Sequence, residues 1–288
     1  MNKVAVLITC HNRKEKTLAC LSSFYACETP SNYRFEIFMV DDGSTDNTSL
    51  EVANKFPNVT IVTGSGNLFW AGGMRLAWDT ASAKGGYAAF LLLNDDVLLK
   101  KDCLCKLVET HTYAVNNVVP GIYTGATASA ASGMVSYGGY QILKNNFLIK
   151  SKLVIPEKEP VACDYANANI LFVSKYAIDK LGKLDTRYTH SLADYDYTRR
   201  AVEKNIPLLL APGILGSCED DHGNNWKAGT VSLKKRVEYL KSPKGLAYSE
   251  YLYYIQKHFP LTVPYYFTMI WLKTLFPFLW EVFKRSKG

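Results

Sequence analysis

Two neighbouring carboxylates follow a buried strand in the middle of the sequence. The apolar run 88–93 leads directly into Asn94, Asp95 and Asp96. A buried carboxylate without a partner costs on the order of several kcal/mol, so this pair requires a cation or hydrogen-bond donors close by. Carboxylate oxygens are the ligands that Mg²⁺ and Mn²⁺ prefer, although a strand-ending turn is a structural alternative for the same residues.

Three other polar segments stand at the ends of predicted strands. They cover residues 9–13, 41–44 and 64–73. In a doubly wound sheet, ligands bind outside the carboxyl ends of the strands. We therefore expect these segments and the 94–96 carboxylates to converge on one crevice.

Short apolar runs alternate with segments of helical spacing over the first hundred residues. Such runs predict buried parallel strands, and apolar residues three or four apart predict helices. The alternation indicates right-handed βαβ units in an α/β fold. The predicted strands are 4–9, 35–40, 59–62 and 88–93, and the predicted helices are 13–25, 48–55 (capped by Asp46 or Thr45) and 71–83.

The pattern changes after residue 120. Residues 121–149 predict irregular strands or hairpins, and residues from 232 onward predict mainly helix. We expect one domain over 1–225, with halves at about 1–100 and 101–225, followed by a helical, aromatic-rich segment over 226–288. The other predicted elements are strands at 169–173 and 207–211 and helices at 175–181 and 194–204.

Composition and charge restrict the class of protein. The chain has 288 residues, 48% of them hydrophobic, and a formal net charge of +7 that suits an anionic ligand or an anionic membrane surface. Lysine and arginine are spread along the chain without a basic run, which argues against nucleic-acid binding. The seven cysteines include no CxxC pair, and the N-terminal residues do not form a signal peptide. We therefore expect reduced thiols in a cytoplasmic protein.

Three common binding motifs are incomplete in this sequence. Gly64 and Gly66 follow a strand, but Phe69 occupies the third glycine position of GxGxxG. DGSTDN is similar to a calcium loop, but Asn47 stands where glycine is required, and the glutamate at the twelfth position is missing. Neither GxxxxGKS nor GxxxxGKT occurs.

The order of the polar segments resembles family 2 glycosyltransferases of the GT-A fold. The matching segments are VAVLITCHNR, VDDGSTDNT, GNLFWAGGMRLAW, LLLNDDV and LADYDYTRRA, spread over residues 1–222. Within the family, GNLFWAGGMR and NDDV are most similar to bacterial rhamnosyltransferase- and galactofuranosyltransferase-type enzymes. The resemblance implies a mixed, mostly parallel sheet flanked by helices, with a C-terminal helical extension. It also implies inverting, metal-dependent transfer of a sugar from dTDP-rhamnose or a UDP-sugar to a hydroxyl group.

The resemblance assigns roles to residues at the donor end of the crevice. Asp96 would ligate Mg²⁺ or Mn²⁺, with His222 as a further ligand, and Asp95 would lie near the ribose or the sugar. Asn94 departs from the first position of the family's Asp-x-Asp signature. The other implied donor-binding residues are Thr9, His11 and Arg13 at the base and diphosphate, Asp42 at the nucleoside, Asp41 at the loop or the base, Asn67, Gly72 and Gly73 along the diphosphate, and Trp70 stacked on the sugar or the acceptor.

The reaction also needs a base, because the acceptor hydroxyl must lose its proton as it attacks. In the family this base is the Asp of a Glu-Asp pair, which corresponds to Asp194, with Ala193 in place of Glu. Asp196 would bind the acceptor or pair with a neighbouring arginine, and Trp226 would lie on a loop that closes over the donor and meets the acceptor. The structural alternative for Asp194 and Asp196 is acidic charge that complements a helix dipole.

The C-terminal tail is apolar and aromatic, but it is not a clean membrane span. Residues 261–283 include Pro264, Lys273, Pro277 and Glu281, whereas a transmembrane helix needs about 20 apolar residues with few charges. An interfacial segment fits better, and a core-packing or dimerising helix is the alternative. The resemblance and the positive charge favour a glycan or lipid-linked glycan acceptor, in surface polysaccharide assembly on the cytoplasmic face of the inner membrane.

Two functions from other classes are the alternatives. A sugar-1-phosphate nucleotidyltransferase would need a Gly-rich phosphate loop and a lysine after the first strand, and residues 9–13 lack both. A non-catalytic nucleotide-sugar-binding module would keep Asp42 and Asp96 but need no base.

Overall fold

The computed structural model describes residues 1–143, 148–219 and 231–278. The first half alternates strands with helices, as the apolar runs predict. Its elements are β1 (Asn2–Cys10), α1 (Lys14–Tyr25), β2 (Tyr33–Asp41), α2 (Thr48–Lys55), β3 (Thr60–Thr63), α3 (Phe69–Lys84), β4 (Ala89–Leu93), β5 (Leu98–Leu99) and α4 (Cys103–Asn117).

The second half is richer in short strands and ends in helices. Its strands and the helices among them are β6 (Ile122–Ala128), β7 (Val135–Tyr137), β8 (Gly139–Leu143), β9 (Lys150–Leu153), β10 (Val161–Ala162), β11 (Tyr165–Ala166), β12 (Ile170–Ser174), α5 (Lys175–Leu181), α6 (Ala193–Glu203) and β13 (Leu208–Ser217). The C-terminal elements are α7 (Leu233–Lys241), α8 (Tyr248–His258), a 3-10 turn (Pro260–Thr262) and α9 (Val263–Leu275).

A mixed sheet organises the N-terminal unit and confirms the predicted α/β class. Its order is β10-β13-β6-β12-β4-β1-β2-β3, with β5 beside β13 and β7 beside β6, and β11, β8 and β9 form a separate sheet. β1 lies parallel to both β2 and β4, with Cys10 opposite Asp41 and Leu7 opposite Leu92. The carboxyl ends of these strands therefore meet at one edge of the sheet, which we call the carboxyl edge.

Strand β12 reverses the direction of the sheet. It runs antiparallel to β4, with Ile170 opposite Leu93. The Asn94 N–H donates to the Asn169 carbonyl at 3.1 Å, just beyond the paired residues. Residues that precede β12 therefore lie at the same carboxyl edge as residues that follow β4.

Helices cover both faces of the central strand β1. Val4, Val6 and Ile8 pack in one apolar cluster with residues of α1, α2 and α4, whereas Ala5 and Leu7 pack in another with residues of α3, α5 and α6. Successive side chains of a strand point to opposite faces, so both faces of β1 must be apolar. This explains why β1 is a continuous apolar run rather than an alternating one.

The C-terminal helices belong to a second compact unit, which also takes in His190–Leu192. Trp271 on α9 donates its indole N–H to the Tyr248 hydroxyl at 2.9 Å, and Ile255 and Ile270 are buried. This agrees with the predicted helical C-terminal segment. Among the described residues, no helix combines the length and hydropathy that a membrane span requires. The predicted boundary at 225/226 falls outside the described residues and stays a prediction.

Three local predictions are wrong or incomplete. Helix α4 was not predicted. The predicted irregular strands or hairpins of 121–149 are present as the antiparallel pairs β6–β7, whose register shifts, and β8–β9, but their bounds were not predicted. The N-cap of α2 is Asn47, which has a left-handed φ of 64°, and not Asp46 or Thr45. Asp46 instead accepts a hydrogen bond from the Thr48 N–H at 3.1 Å, one position before the cap.

Candidate active site

Arg13 binds both carboxylates that follow β4. Its Nη1 lies 2.9 Å from Asp95 Oδ1 and 3.1 Å from Asp96 Oδ2. Asp95 also accepts a hydrogen bond from Thr17 Oγ1 on α1 at 3.4 Å. Asp95 is buried, whereas the Asp96 side chain is 14% exposed. Asp96 is therefore the carboxylate of the pair that a ligand can reach more easily.

The guanidinium group of Arg13 offsets part of the negative charge of this pair. Burial raises the pKa of Asp95 to about 6; the positive charge of Arg13 opposes this shift, and the negative charge of Asp96 adds to it. Two adjacent carboxylates disfavour each other's ionisation unless a cation lies between them. Arg13 supplies that cation.

Asn94 anchors an aromatic side chain. Its Oδ1 accepts a hydrogen bond from Trp70 Nε1 at 2.8 Å. Trp70 is the second residue of α3 and is half-buried. The residue that departs from the Asp-x-Asp signature thus orients the indole ring, whose stacking on the sugar or the acceptor stays a prediction.

Asp42 fastens the loop that leads into α3. Its carboxylate accepts from the backbone N–H groups of Gly66, Leu68 and Phe69 at 2.7, 2.8 and 3.0 Å. Phe69 has a φ of 53°, a left-handed conformation that bulky residues rarely adopt. Asp42 is buried, so these contacts define it first as the support of the loop. Its predicted contact with the nucleoside stays a prediction.

Asp41 also supports a loop. Its Oδ1 accepts from the Ser44 N–H at 2.9 Å, and its Oδ2 accepts from the hydroxyl of Ser49 on α2. These contacts match the first of the two roles that the sequence suggested for Asp41. They hold the segment 41–44 against the start of α2.

Asn12 and Asp46 have connecting roles that the sequence did not reveal. Asn12 Oδ1 accepts from the Thr45 N–H at 2.7 Å, and the Asn12 N–H donates to Ser44 Oγ at 2.9 Å. Asp46 accepts from the Lys14 N–H at 2.9 Å. The loops after β1 and β2 are therefore tied together. The available signal was an Asn two residues after a strand, because Asn tolerates the left-handed φ of 51° that Asn12 adopts.

His11 and the two glycines of α3 lie along the same crevice. His11 Nδ1–H donates to the Asp42 carbonyl at 2.6 Å, and the ring is exposed. A Cβ on Gly73 would come within 2.0 Å of Thr9 Oγ1, so this glycine is needed for α3 to close on β1. A Cβ on Gly72 would meet the Leu68 side chain at 3.1 Å. Both contacts show that these glycines are needed for packing. That Gly72, Gly73 and the exposed Asn67 approach a diphosphate stays a prediction.

Asp194 is held at the carboxyl edge by backbone groups. It is the second residue of α6, and its Oδ2 accepts from the Ala168 N–H at 3.1 Å while its Oδ1 accepts from the Tyr195 N–H at 2.9 Å. Ala168 precedes Asn169, whose carbonyl binds the Asn94 N–H. A short path of backbone contacts therefore links Asp194 to the carboxylates that follow β4.

The residue that follows β13 approaches Asp96 from a third side. Cys218 Sγ lies 3.7 Å from Asp96 Oδ1 and 3.5 Å from Asn169 Nδ2. His222 and Trp226, predicted as a metal ligand and an acceptor contact, lie outside the described residues. Within 1–143, 148–219 and 231–278, no three His, Cys, Asp or Glu side chains are grouped to hold a metal ion.

Asp196 takes part in an internal ion pair. Its carboxylate is fully buried and accepts from Arg200 Nε at 2.8 Å and from the Tyr188 hydroxyl at 3.2 Å. This is the pairing with a neighbouring arginine that the sequence left open. A side chain with no exposed surface is not placed to contact an acceptor, so we do not assign that role to Asp196.

The four polar segments thus meet at the carboxyl edge, as the parallel sheet predicts. Arg13 contacts the 94–96 segment, and Asp42 holds the loop before α3. A mixed sheet with polar side chains gathered at this edge is typical of α/β proteins that bind a ligand there. The model of the glycosyl transferase family 2 matches residues 5–162. The chain belongs to that family.

Solved structures with the same fold include two that are distant in sequence. The mannosyltransferase PcManGT from Pyrobaculum calidifontis, in complex with GDP-Man and Mn²⁺, is 15% identical with a TM-score of 0.54, over 78% of this chain and 59% of that one. S. aureus TarS 1–349 is 14% identical with a TM-score of 0.54, over 76% of this chain and 60% of that one. This chain thus spans less than two thirds of each. No curated protein matches the sequence.

Proposed function

We propose that the chain transfers one sugar, with inversion, from a nucleoside diphosphate-sugar to a hydroxyl of a glycan or lipid-linked glycan. The observation that carries the proposal is the path of backbone hydrogen bonds from Asp194 through Ala168 and Asn169 to Asn94, the residue before Asp95 and Asp96. An inverting transfer needs a charge-stabilising site for the leaving diphosphate and one base for the attacking hydroxyl. The carboxyl edge offers a residue for each.

Asp96 would hold Mg²⁺ or Mn²⁺. Its carboxylate is partly exposed, and hard cations bound to nucleotides take one or two carboxylates and complete their ligands with phosphate oxygens and water. The oxygen-rich pair after β4 therefore fits such an ion, with His222 as the proposed further ligand. When bound, the cation would stabilise the charge of the departing diphosphate.

The walls of the crevice would bind the donor. His11 and Thr9 lie at the end of β1, and Asp42 fixes the loop 66–69 whose backbone faces the same edge. Arg13 would serve the diphosphate, because a planar guanidinium pairs well with phosphate oxygens. Trp70, oriented by Asn94, would stack on the sugar or the acceptor.

Asp194 would accept the proton of the attacking hydroxyl. A single carboxylate suffices, provided that it is held within hydrogen-bond reach of that hydroxyl. The family's Glu is replaced by Ala193, and here two backbone N–H groups orient the carboxylate instead. The family match and this carboxylate together favour a transferase over a nucleotidyltransferase or a binding module.

The donor can be identified by thermal shift. dTDP, UDP and GDP, with their sugars, would be tested with and without Mn²⁺ or Mg²⁺; GDP is included because PcManGT is described with GDP-Man and Mn²⁺. A ligand at about 100 times its Kd adds about 2.7 kcal/mol, a shift that is easily measured. We expect metal-dependent stabilisation by dTDP or UDP that Asp96→Ala abolishes. Absence of any nucleotide response would refute the proposal.

We also propose that the acceptor is presented at an anionic membrane surface. Helix α9 exposes Phe267, Leu272 and Leu275, and three of the four residues 284–287 are basic. Apolar side chains next to basic residues suit an interface with anionic lipid.

Flotation with phosphatidylglycerol vesicles would test this, with phosphatidylcholine vesicles as the reference. Phe267→Ser should weaken flotation, whereas Met134→Ser, at an exposed residue of the other unit, should not. Equal recovery on both kinds of vesicle would exclude preferential binding to an anionic membrane surface. If light scattering instead shows a dimer that Phe267→Ser dissociates, the dimerising alternative is favoured.

A further inference from the structure

Arg13 occupies the position at which a metal ion and the Asp95–Asp96 pair would meet. One nitrogen, Nη1, contacts both carboxylates: it lies 2.9 Å from Asp95 Oδ1 and 3.1 Å from Asp96 Oδ2. The Arg13 side chain is 37% exposed, so it is anchored at its tip rather than enclosed. Arg13 also directly precedes α1, at a φ of −135° outside the helix. The guanidinium can therefore change partners without disturbing the helix.

Both oxygens of Asp96 already have neighbours. Oδ2 receives Arg13 Nη1, and Oδ1 faces Cys218 Sγ at 3.7 Å. A divalent cation that binds Asp96 must share these oxygens with the guanidinium, and two cations on one carboxylate repel each other. Metal binding to Asp96 and the contact between Arg13 and Asp96 are therefore in competition.

The donor removes this competition. A nucleoside diphosphate brings phosphate oxygens to the same site, and Arg13 can pair with them through two parallel N–H groups. The two cations would then no longer share one carboxylate, because the metal would lie on Asp96 and the arginine on phosphate. The energetic cost of moving Arg13 is offset only when metal and nucleotide bind together.

We propose that Arg13 is an exchangeable counter-ion, which pairs with Asp95 and Asp96 in the free enzyme and transfers to the donor diphosphate when the metal binds Asp96. This inference rests on the proposed function. It makes metal and nucleotide binding mutually dependent, because each ligand favours the same position of Arg13. Metal alone binds weakly, and metal with nucleoside diphosphate binds tightly.

The test is direct measurement of Mn²⁺ binding by electron paramagnetic resonance, with and without UDP or dTDP. In the wild type, nucleotide should tighten Mn²⁺ binding by about tenfold or more, within the usual range of coupling between sites. Arg13→Gln should bind Mn²⁺ alone more tightly than the wild type, because the competing charge is gone. It should also bind the nucleotide more weakly and lose most of the coupling.

Two variants act as controls. Arg34→Gln removes an exposed arginine at the opposite end of β2, where it pairs with Glu36, and should leave both affinities unchanged. Arg13→Lys keeps the charge and the fold but cannot form two parallel bonds, so it should keep weak binding of Mn²⁺ alone while coupling decreases. This variant tests the exchange even if Arg13→Gln does not fold.

The outcomes separate the two proposals. If the wild type shows coupling but Arg13→Gln binds Mn²⁺ alone as weakly as the wild type, Arg13 is a fixed structural partner and the exchange is refuted. Unchanged coupling in Arg13→Lys refutes it as well. If the wild type binds neither Mn²⁺ nor nucleotide, the proposed function itself fails, and the exchange fails with it.

Discussion

The indole of Trp70 donates to the side-chain oxygen of Asn94 at 2.8 Å, and this bond joins the start of α3 to the residue that follows β4. Asn94 thus connects Trp70 to the segment that carries the two carboxylates after it. An Asp at this position would add a third negative charge next to Asp95 and Asp96. An Asn binds the same indole without that charge.

Replacing Asn94 should separate its hydrogen-bonding role from its charge. Asn94→Ala leaves Trp70 Nε1 without its partner, which should cost about 1–3 kcal/mol of stability and lower the rate of transfer. Asn94→Asp keeps an oxygen for the indole and should retain more activity than Asn94→Ala. Urea unfolding and steady-state rates of both variants check this. If both substitutions have equal effects, the bond to Trp70 is unimportant.

The contribution of Asp95 to the stability of the chain should fall as pH rises. Burial raises the pKa of this carboxyl from 3.8 to about 6, so the folded chain holds the proton more tightly than the unfolded chain. The contribution of Asp95 to the free energy of unfolding is fully present below pH 3.8 and is lost as pH rises to about 6. It amounts to about 3 kcal/mol.

Asp95→Asn should remove this dependence. In urea unfolding with EDTA, the variant should gain stability relative to the wild type between pH 4 and pH 7 (about 3 kcal/mol at most). Asp102 provides the contrast, because its bond to Lys106 lowers its pKa. Asp102→Asn should therefore lose stability relative to the wild type as pH rises toward 3.8 and should change little further between pH 4 and pH 7. Parallel curves for the wild type and Asp95→Asn would contradict the assignment.

Substitution of Asp194 should reduce activity, whereas substitution of Asp196 should reduce stability, although the two residues are only two positions apart. Asp194→Ala removes the proposed base, so transfer should fall by about 10²–10⁴-fold while nucleotide binding stays unchanged. Asp196→Ala leaves Arg200 without its buried partner, which should cost about 3–5 kcal/mol of stability. Calorimetry with UDP or dTDP and unfolding curves separate the two. Normal turnover in Asp194→Ala would remove the base from the mechanism.

Gly73→Ala should displace helix α3 from the sheet. The added Cβ would fall 2.0 Å from Thr9 Oγ1, and such overpacking costs typically about 1–3 kcal/mol. The double variant with Thr9→Ala should recover part of the loss, because the clash is with the Thr9 side chain. Gly72→Ala is a neighbouring control with a milder contact of 3.1 Å. Equal losses in the single and double variants would place the strain elsewhere.

The central strands and several helices could be predicted because their residues carry a clear period. The bounds of α2 and α5 match the predicted 48–55 and 175–181, and the apolar runs mark β1, β2 and β4. Helix α4 was missed although Leu104, Leu107 and Ala114 are buried at helical spacing. Its other buried positions are Cys103 and Thr110, which weaken the apolar pattern.

The prediction for strand β13 was too short because proline and glycine often mark the end of a strand. The prediction ended at residue 211, before Pro212 and Gly213, but the strand continues to Ser217. Its pairing with β6 shifts register between Leu210 and Ile214. A bulge of this kind accommodates a proline inside a strand, and it carries the chain on to Cys218 beside Asp96.

The position of the candidate site followed from topology, but its contacts did not. The rule that parallel strands end at one edge is enough to gather segments 9–13, 41–44, 64–73 and 94–96. The bonds from Trp70 to Asn94 and from Asn12 to Thr45 join residues 24 and 33 positions apart. Sequence spacing carries no record of such pairs, because they depend on how the loops fold back.

The antiparallel pairing of β4 with β12 has a consequence for synthesis. The β1 strand that pairs with β4 is synthesised before it, but the other neighbour of β4 begins only at Ile170. At about 5–20 residues per second, the intervening chain takes roughly 4–15 s to make. During that time the apolar β4 has an open edge, which another chain can join. Translation that stalls before Ile170 should therefore yield aggregates rather than a folded, inactive enzyme.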